Sequence, residues 1–210
     1  SLDNNDADNQ ALSVNTLEAL VANNSKLLQD EVDRHTFLAI GCPRLLIKQI
    51  LRIKHRDASI KSLKLLLSST WDEKALERMG EILGHNSTLE ELKLNGTNTD
   101  VTLLCSGLQY NQCVEKIRFN GINLCNIEQM TSLTPFVTNN TLLKKIDLSF
   151  CNIGEASLDI LSDDLLNRSD DTLESINLSD NNWGDIDLDK LVVALMKCKS
   201  LKLLLLKSNG

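Results

Sequence analysis

The sequence predicts an α/β solenoid, with a curved parallel sheet inside, helices outside and a helical cap at the N-terminus. Three observations predict it: one apolar motif recurs six times, the recurrence is regular, and a helical pattern follows the motif. The motif is L-x-x-L-x-L with other apolar residues allowed, and its copies start at Ile60, Leu89, Val114, Leu143, Leu173 and Leu201. Successive starts lie 25 to 30 residues apart, a spacing typical of stacked strand-and-helix units.

Each copy of the motif is expected to form a short strand with one buried face. The fourth and sixth positions lie two residues apart, so their side chains point to the same side. Three positions further on comes a turn, where a polar side chain can bond backbone groups that stacking would bury. Along the chain this residue is Ser68, Thr97, Ile122, Cys151, Asn181 and Asn209. We expect the least regular turn at Ile122, whose side chain offers no hydrogen bond.

A helical pattern follows the turns. Its apolar residues recur at the spacing of a one-sided stripe, and in the last two helices they are Leu158, Ile160, Leu161, Leu165, Ile186, Leu188, Leu191, Val192 and Leu195. The unit that starts at Leu89 is short, so we expect an abbreviated helix around Val101 to Leu108. One strand and one helix cannot keep water from their own leucines, so each unit must stack on its neighbours.

Residues 60–210 resemble a leucine-rich repeat domain of the ribonuclease-inhibitor-like subclass. The resemblance lies in the segments TLEELKLNG, TLLKKIDLSFCNIG, TLESINLSDNNWG and SLKLLLLKSNG. The long period and the helix after each turn are typical of this subclass. The resemblance implies the repeat fold and a role in binding proteins. It does not specify the role, since similar domains serve as inhibitors, immune receptors, cytoskeletal caps and GTPase regulators.

The region before the first clear copy is expected to cap the array. We predict a flexible, Asp/Asn-rich tail over residues 1–10, a helical or degenerate-repeat cap over 11–56, and an array of about five full units and a final strand over 57–210. Stepping back one period places Val32, His35 and Phe37 in the apolar slots of a degenerate unit. The segment CPRLLIKQILRIKHRD then supplies a helix, with Pro43 suited to its first turn.

This cap helix has a basic side and an apolar face. Its basic residues are Arg44, Lys48, Arg52, Lys54 and Arg56, and its apolar residues are Leu46, Ile47, Ile50 and Leu51. Basic amphipathic helices can lie on membranes or enter a calmodulin-like groove. We favour a cap helix with a solvated basic side.

Composition excludes several classes of partner and location. A net charge of −7 and a pI near 5.0 argue against general nucleic-acid binding. No apolar run approaches the roughly 20 residues that span a membrane, and membrane binding is not expected. The six cysteines form no CxxC pair, which favours buried thiols in an intracellular, soluble protein. Six N-x-S/T sequons, if glycosylated, would reverse that location.

The sequence predicts no catalytic, metal or cofactor site. The three histidines, His35, His55 and His85, lie far apart. A site formed by Cys42 with His35 and His55 matches no metal-ligand spacing. Phosphate-binding loops, dinucleotide fingerprints and nucleophile elbows are absent from the sequence. The protein is therefore not expected to be an enzyme.

The candidate binding residues occupy motif positions three and five, which point away from the buried leucines. Position five holds Lys64, Lys93, Arg118, Asp147, Asn177 and Leu205, and position three holds Ser62, Glu91, Lys116, Lys145, Ser175 and Leu203. The first four units place five cations beside two acids on the predicted concave face. We expect Lys64, Lys93, Lys116, Arg118, Lys145 and Asp147 to bind an acidic protein surface or peptide. The alternative is that the long cationic side chains splay into water, with Glu91 relieving part of their repulsion.

The last copy differs from the others because Leu203 and Leu205 replace polar residues in the outward positions. Exposed leucines beside an unpaired edge strand predict either further sequence or another subunit over this edge. We therefore expect a non-catalytic protein-binding or assembly scaffold that uses its concave face. The alternatives are a subunit of a larger complex, or a regulatory protein of the GTPase-activating or actin-capping type.

Overall fold

A computed structural model describes residues 14–97, 99–168 and 171–209, with side chains from residue 18 onward. The predicted tail over residues 1–10 lies outside these ranges. Two helices come first, and strands and helices then alternate. The elements are α1 (Val14–Ala39), α2 (Arg44–Lys54), β1 (Ser62–Leu67), α3 (Glu73–Gly84), β2 (Glu91–Gly96), α4 (Thr102–Leu108), β3 (Lys116–Asn120), α5 (Ile127–Asn139), β4 (Lys145–Asp147), α6 (Glu155–Asn167), β5 (Ser175–Asn177), α7 (Asp189–Lys197) and β6 (Leu203–Leu205).

The six strands form one parallel sheet in sequence order, β1 to β6. Equivalent motif positions face each other in the register, so Leu63 pairs with Leu92, which pairs with Ile117. The same row continues through Ile146 and Ile176. Consecutive helices α3 to α7 contact one another behind the sheet. The predicted α/β solenoid with a parallel sheet is therefore confirmed.

The core is one continuous layer between the sheet and the helices. Leu89, Leu92 and Leu94 of a central unit are completely buried, because the strands and helices of both neighbouring units cover them. Their counterparts in the last unit, Leu204 and Leu206, remain 36% exposed, since no described unit follows. Burial of each leucine thus depends on the next unit, as the repeat pattern requires.

The predicted turn residues hold neighbouring units together. The Asn181 amide nitrogen donates to the carbonyls of Leu178 (2.8 Å) and Leu148 (3.1 Å), and its oxygen accepts from Cys151 N at 3.0 Å. Asn209 repeats the arrangement one unit later, where its oxygen accepts from Asn181 N at 2.8 Å. The side chain at this position therefore satisfies backbone groups of its own unit and of the preceding one. The expectation is confirmed for Asn181 and Asn209.

The turn at Ile122 is built differently, as expected from its apolar side chain. Ile122 is fully buried, and Gly121 adopts a left-handed φ of +73°, which glycine tolerates without steric cost. Backbone hydrogen bonds from Gly121 N to Phe150 O (3.1 Å) and from Leu124 N to Cys151 O (2.8 Å) tie this turn to the next unit.

A second set of asparagines, not predicted, stabilises the turns that lead into the strands. Asn86, Asn111 and Asn140 are buried and stand three residues before three successive motif starts. The Asn86 amide nitrogen donates to Ile53 O at 2.7 Å, and its oxygen accepts from Leu89 N at 2.7 Å. Asn111 and Asn140 likewise bond the preceding unit and their own turn. These side chains replace the backbone partners that the ends of the helices lack.

The short unit contains the abbreviated helix that its spacing predicts. Helix α4 has only seven residues and lies close against α3. Gly80 and Gly107 meet there, and a Cβ atom on either glycine would overlap the backbone of the other helix. Glycine at both positions is therefore what permits the two helices to approach so closely.

The N-terminal region is helical, but the predicted degenerate strand is wrong. Val32, His35 and Phe37 lie on α1, a helix of 26 residues, and β1 pairs with β2 alone among the described strands. Phe37 and Ile40 are buried, and their spacing suits one face of a helix. Pro43 directly precedes α2 as its N-cap residue, with φ −59°, a conformation that proline favours.

A buried charge cluster joins this cap to the first repeat unit. Asp33 on α1 is fully buried and contacts Lys54 of α2 (2.7 Å) and Arg78 of α3 (2.6 Å). Burial alone would raise the pKa of Asp33, but the hydrogen bonds from Arg78 and Lys54 lower it below its ordinary value. Lys54 also contacts Asp30, and Arg52 contacts Asp57. The prediction that the basic side of α2 is solvated is therefore wrong for Lys54. At Arg52 the ion pair with Asp57 neutralises part of the charge.

All six cysteines are free thiols. Burial raises the pKa of the Cys105 and Cys151 thiols to about 12, so these two side chains act as small apolar groups. Over residues 14–97, 99–168 and 171–209, each helix is too short or too polar to cross a membrane.

Candidate protein-binding face

The outward side chains of the sheet form two rows on the concave face. In the first row Lys64 pairs with Lys93, which pairs with Arg118, and the row continues through Asp147, Asn177 and Leu205. In the second row the order is Ser62, Glu91, Lys116, Lys145, Ser175 and Leu203. Neighbours in each row sit on adjacent strands, which are about 4.8 Å apart. The sheet therefore brings together the residues that the sequence singled out.

Each of the two acids on this face is held by neighbouring donors. The Glu91 carboxylate accepts from Lys93 Nζ and from Ser62 Oγ, both at 2.9 Å. The hydrogen bond from Lys93 lowers the pKa of Glu91. Asp147 contacts Arg118 Nε at 2.7 Å and accepts from Asn177 Nδ2 at 3.0 Å. The two acids therefore compensate the charges of Lys93 and Arg118.

The remaining cations carry the net charge of the face. Lys64, Lys116 and Lys145 are exposed and make no ion pair with any residue that the structure describes. Lys116 and Lys145 are direct neighbours on β3 and β4. Like charges placed opposite each other on adjacent strands destabilise a sheet, so this pair favours an anionic partner. Two of these three cations, Lys116 and Lys145, therefore lie side by side at the centre of the face, and Lys64 lies on the first strand.

A shallow depression of about 240 Å³ lies beside these two lysines. Its walls differ in chemistry across the sheet. The charged side has three cations and two acids, and the apolar side has two leucines: Lys116, Arg118, Lys145, Glu91 and Asp147 line the first, and Leu203 and Leu205 line the second. Ser175 and Asn177 lie between them and supply neutral hydrogen-bonding groups. The depression can therefore receive carboxylates and apolar side chains of the same ligand.

The edge where the strands begin carries a row of charges that the sequence analysis missed. Its residues are Lys61, Glu90, Glu115, Lys144, Glu174 and Lys202, at the second motif position. They pair across neighbouring units, Lys61 with Glu90, Lys144 with Glu115 and Lys202 with Glu174, at 2.9 to 3.0 Å. The mixed signs at this position could have revealed the pairs. Because the row is self-compensating, it adds no net charge to the concave face.

The C-terminal edge exposes more apolar surface than predicted. Leu203 is 48% exposed and Leu205 is half-buried. Leu204 of the same strand and Leu206 just after it are also exposed, together with Val192, Val193 and Met196 of α7. The counterparts of Leu204 and Leu206 in the preceding unit, Ile176 and Leu178, are core residues, so the motif alone did not predict their exposure. The described chain thus ends in an apolar surface formed by β6 and α7.

Comparison with known proteins identifies the fold. No protein-family model and no curated protein sequence matches the chain. Among the solved structures, 26 chains match. One is "Leiomodin-1 Actin-Binding Site 2 (ABS2)", with a TM-score of 0.54 and 14% sequence identity over 77% of this chain and 91% of that chain. At this identity the likeness shows the fold, which is of the leucine-rich repeat type.

Proposed function

We propose that this protein is a non-catalytic scaffold that binds another protein through the concave face of its repeat array. The observation that carries the proposal is the pair Lys116 and Lys145, which form no ion pair among the described residues, beside a depression that ends in Leu203 and Leu205. The cationic site attracts an acidic partner during association, and the apolar site beside it contributes affinity when the partner buries it. The parallel sheet supports this role because it holds these side chains on rigid strands.

The partner that fits is an acidic protein segment that also carries apolar side chains. Its carboxylates would contact Lys116 and Lys145, and its apolar side chains would cover Leu203 and Leu205. Arg118 is already bonded to Asp147. Its side chain therefore forms part of the wall of the depression and attracts an acidic partner less than the two lysines do. Contacts of this kind weaken as salt screens them, with a Debye length of about 8 Å at physiological ionic strength.

The test is affinity capture with the intact chain, followed by direct binding measurements on each captured protein. The variant Lys116→Glu/Lys145→Glu should lose the specific partner. The matched control, Lys74→Glu/Lys199→Glu, changes the net charge equally at exposed sites outside the depression and should retain it. Equal capture by both variants at low and at physiological salt would contradict the proposed site.

A second candidate is binding to actin, as a regulatory protein of the actin-capping type. The observation that favours it is the likeness to a Leiomodin-1 domain described as an actin-binding site, 91% of which is matched. Co-sedimentation with actin filaments and fluorescence titration of actin monomers would test it. If the chain binds actin and Lys116→Glu/Lys145→Glu abolishes that binding, actin is the partner of the concave face. Absence of binding in both assays would exclude actin as a partner. No feature of the described residues favours GTPase activation.

We also infer that the array belongs to the ribonuclease-inhibitor-like subclass and works inside cells. The period of 25 to 30 residues and the helix between successive strands support the subclass. The free cysteines support a reducing compartment. The sequon at Asn86 points the same way, because its amide nitrogen is buried and bonded to Ile53 O. The exposed Leu203 and the half-buried Leu205 also support the alternative that this protein is a subunit of a larger complex, in which a neighbouring subunit covers them.

A further inference from the structure

The first part of helix α1 has no neighbour among the described residues. Every side chain from residue 18 to residue 29 is exposed. Four of them are large and apolar, namely Leu20, Val21, Leu27 and Leu28, with exposures between 47% and 68%. Helix α1 contacts α2 and α3 through its later turns, where Asp33, Phe37 and Ile40 are buried. Residues 14–29 therefore project from the cap over about 24 Å at 1.5 Å per residue.

A projecting helix of this length needs a partner. Most of the stability of a helix in a protein comes from burial of an apolar face against a neighbour, not from intrinsic helix propensity. The apolar residues at positions 20, 21, 27 and 28 lie on one face, since Leu27 and Leu28 follow Leu20 and Val21 by seven residues, close to two turns of an α-helix. That face is well formed and uncovered.

The apolar face is symmetric about Asn24. Leu20 and Leu28 lie four residues on either side of Asn24, and Val21 and Leu27 lie three residues on either side. An antiparallel copy of the same helix, centred at Asn24, therefore places apolar residues against apolar residues at both ends. A two-fold contact of this kind is self-complementary, as closed dimers require. The two asparagines would meet at the axis, where a polar pair fixes the register of paired helices.

We propose that this protein forms a dimer through antiparallel pairing of residues 18–29 of α1 with the same segment of a second copy. The repeat array joins each helix at its C-terminal end, so antiparallel pairing places the two arrays at opposite ends. The concave faces then stay accessible. The dimer is independent of the proposed function, because it uses none of the concave-face residues.

Charge and composition favour a second copy over the other candidates. Lys26 is the only cation between residues 18 and 29, and Glu18, Asp30 and Glu31 lie near it. A helix that lies on a membrane carries several Lys or Arg residues on its polar face, so this one suits a lipid surface poorly. Residues 1–13 contain just two large apolar side chains, Leu2 and Leu12, too few to cover the face.

Sedimentation velocity of the full chain tests the dimer. We expect twice the 23.4 kDa mass of the chain at micromolar concentration. Leu20→Glu/Leu27→Glu should give a monomer, because it places charges in the contact. Leu45→Glu/Leu66→Glu removes two exposed leucines outside the contact and should remain dimeric. A monomeric wild type, or a dimer that survives Leu20→Glu/Leu27→Glu, would overturn the proposal.

Oxidative cross-linking tests the orientation without charging the face. Asn24→Cys should give a covalent dimer, whereas Leu17→Cys should not, because antiparallel pairing separates the two copies of position 17. The wild type, with its six native cysteines, measures the background. Cross-linking at both positions would indicate a parallel pair and overturn the proposed arrangement. Cross-linking at neither position would place the contact elsewhere and overturn it equally.

Discussion

Replacing Asn181 with alanine should strongly destabilise the array, because this side chain satisfies backbone groups of two units at once. Asn181 is 3% exposed. Its amide nitrogen donates to Leu178 O and Leu148 O, and its oxygen accepts from Cys151 N and Ile153 N. Alanine removes these four bonds and a longer fifth one, to Ser179 O at 3.3 Å, and leaves the backbone groups buried.

The expected loss follows from the number of groups left unpaired. Each buried donor or acceptor without a partner costs about 1–3 kcal/mol. The two N–H groups lose their partner outright, while the carbonyls keep some capacity, so the total is roughly 3–5 kcal/mol. For a chain of this length, 1 kcal/mol lowers the melting temperature by about 2–4 °C, so Asn181→Ala should melt about 10 °C lower.

Urea unfolding followed by circular dichroism measures this loss. Asn182→Gly is the matched control, because Asn182 is exposed with φ +56° and glycine tolerates that conformation. The control should change the free energy of unfolding by less than about 1 kcal/mol. A loss below about 1 kcal/mol in Asn181→Ala would refute the argument that this side chain joins the units.

Three further substitutions test other contacts. Burial raises the pKa of Asp164 from 3.8 to about 6. The stability that the neutral Asp164 carboxyl contributes to the folded state is therefore fully present below pH 4 and is lost as the pH rises through 6. Asp164→Asn should therefore match the wild type in urea unfolding at pH 4 but exceed it by up to about 3 kcal/mol at pH 7; equal stability at both values would contradict this. Gly107→Ala should lose about 1–3 kcal/mol, because the added methyl group forces α4 away from α3, and a gain of helix stability in the same assay would show the contact to be loose. Asp33→Asn should lose about 1–3 kcal/mol, because Lys54 and Arg78 lose their shared buried anion but keep Asp30 and Glu81, and thermal melting unchanged from the wild type would exclude that role.

The rows of the concave face were predictable because the motif fixes both strand direction and register. Once Leu92 and Ile117 are assigned to equivalent positions, Lys93 and Arg118 must be neighbours. The charge that remains was not predictable in the same way. Whether Lys93 bonds Glu91 of its own strand, or Arg118 bonds Asp147 of the next, depends on side-chain conformations. The motif therefore predicts which residues are adjacent on neighbouring strands, but it does not predict which of them form ion pairs.

The N-terminal cap shows where periodicity stops being informative. Val32, His35 and Phe37 fit the motif one period upstream, yet they form part of α1, which contacts α2 and α3 and buries Phe37. The Asp33 cluster was also beyond sequence reasoning, since the motif does not define how the three successive helices that it joins pack together. Asn86, Asn111 and Asn140 were within reach, because they recur at one position in three successive units.

Nuclear Overhauser effects between backbone protons of neighbouring strands test the central claim most directly. The stacked parallel sheet predicts that Ile117 shows contacts to the strand of Leu92 and to the strand of Ile146, in the staggered pattern of parallel pairing. Close contacts between directly opposed α-protons would indicate antiparallel strands. That pattern, or contacts from Ile117 to neither strand, would contradict the stacked array and the binding face built on it.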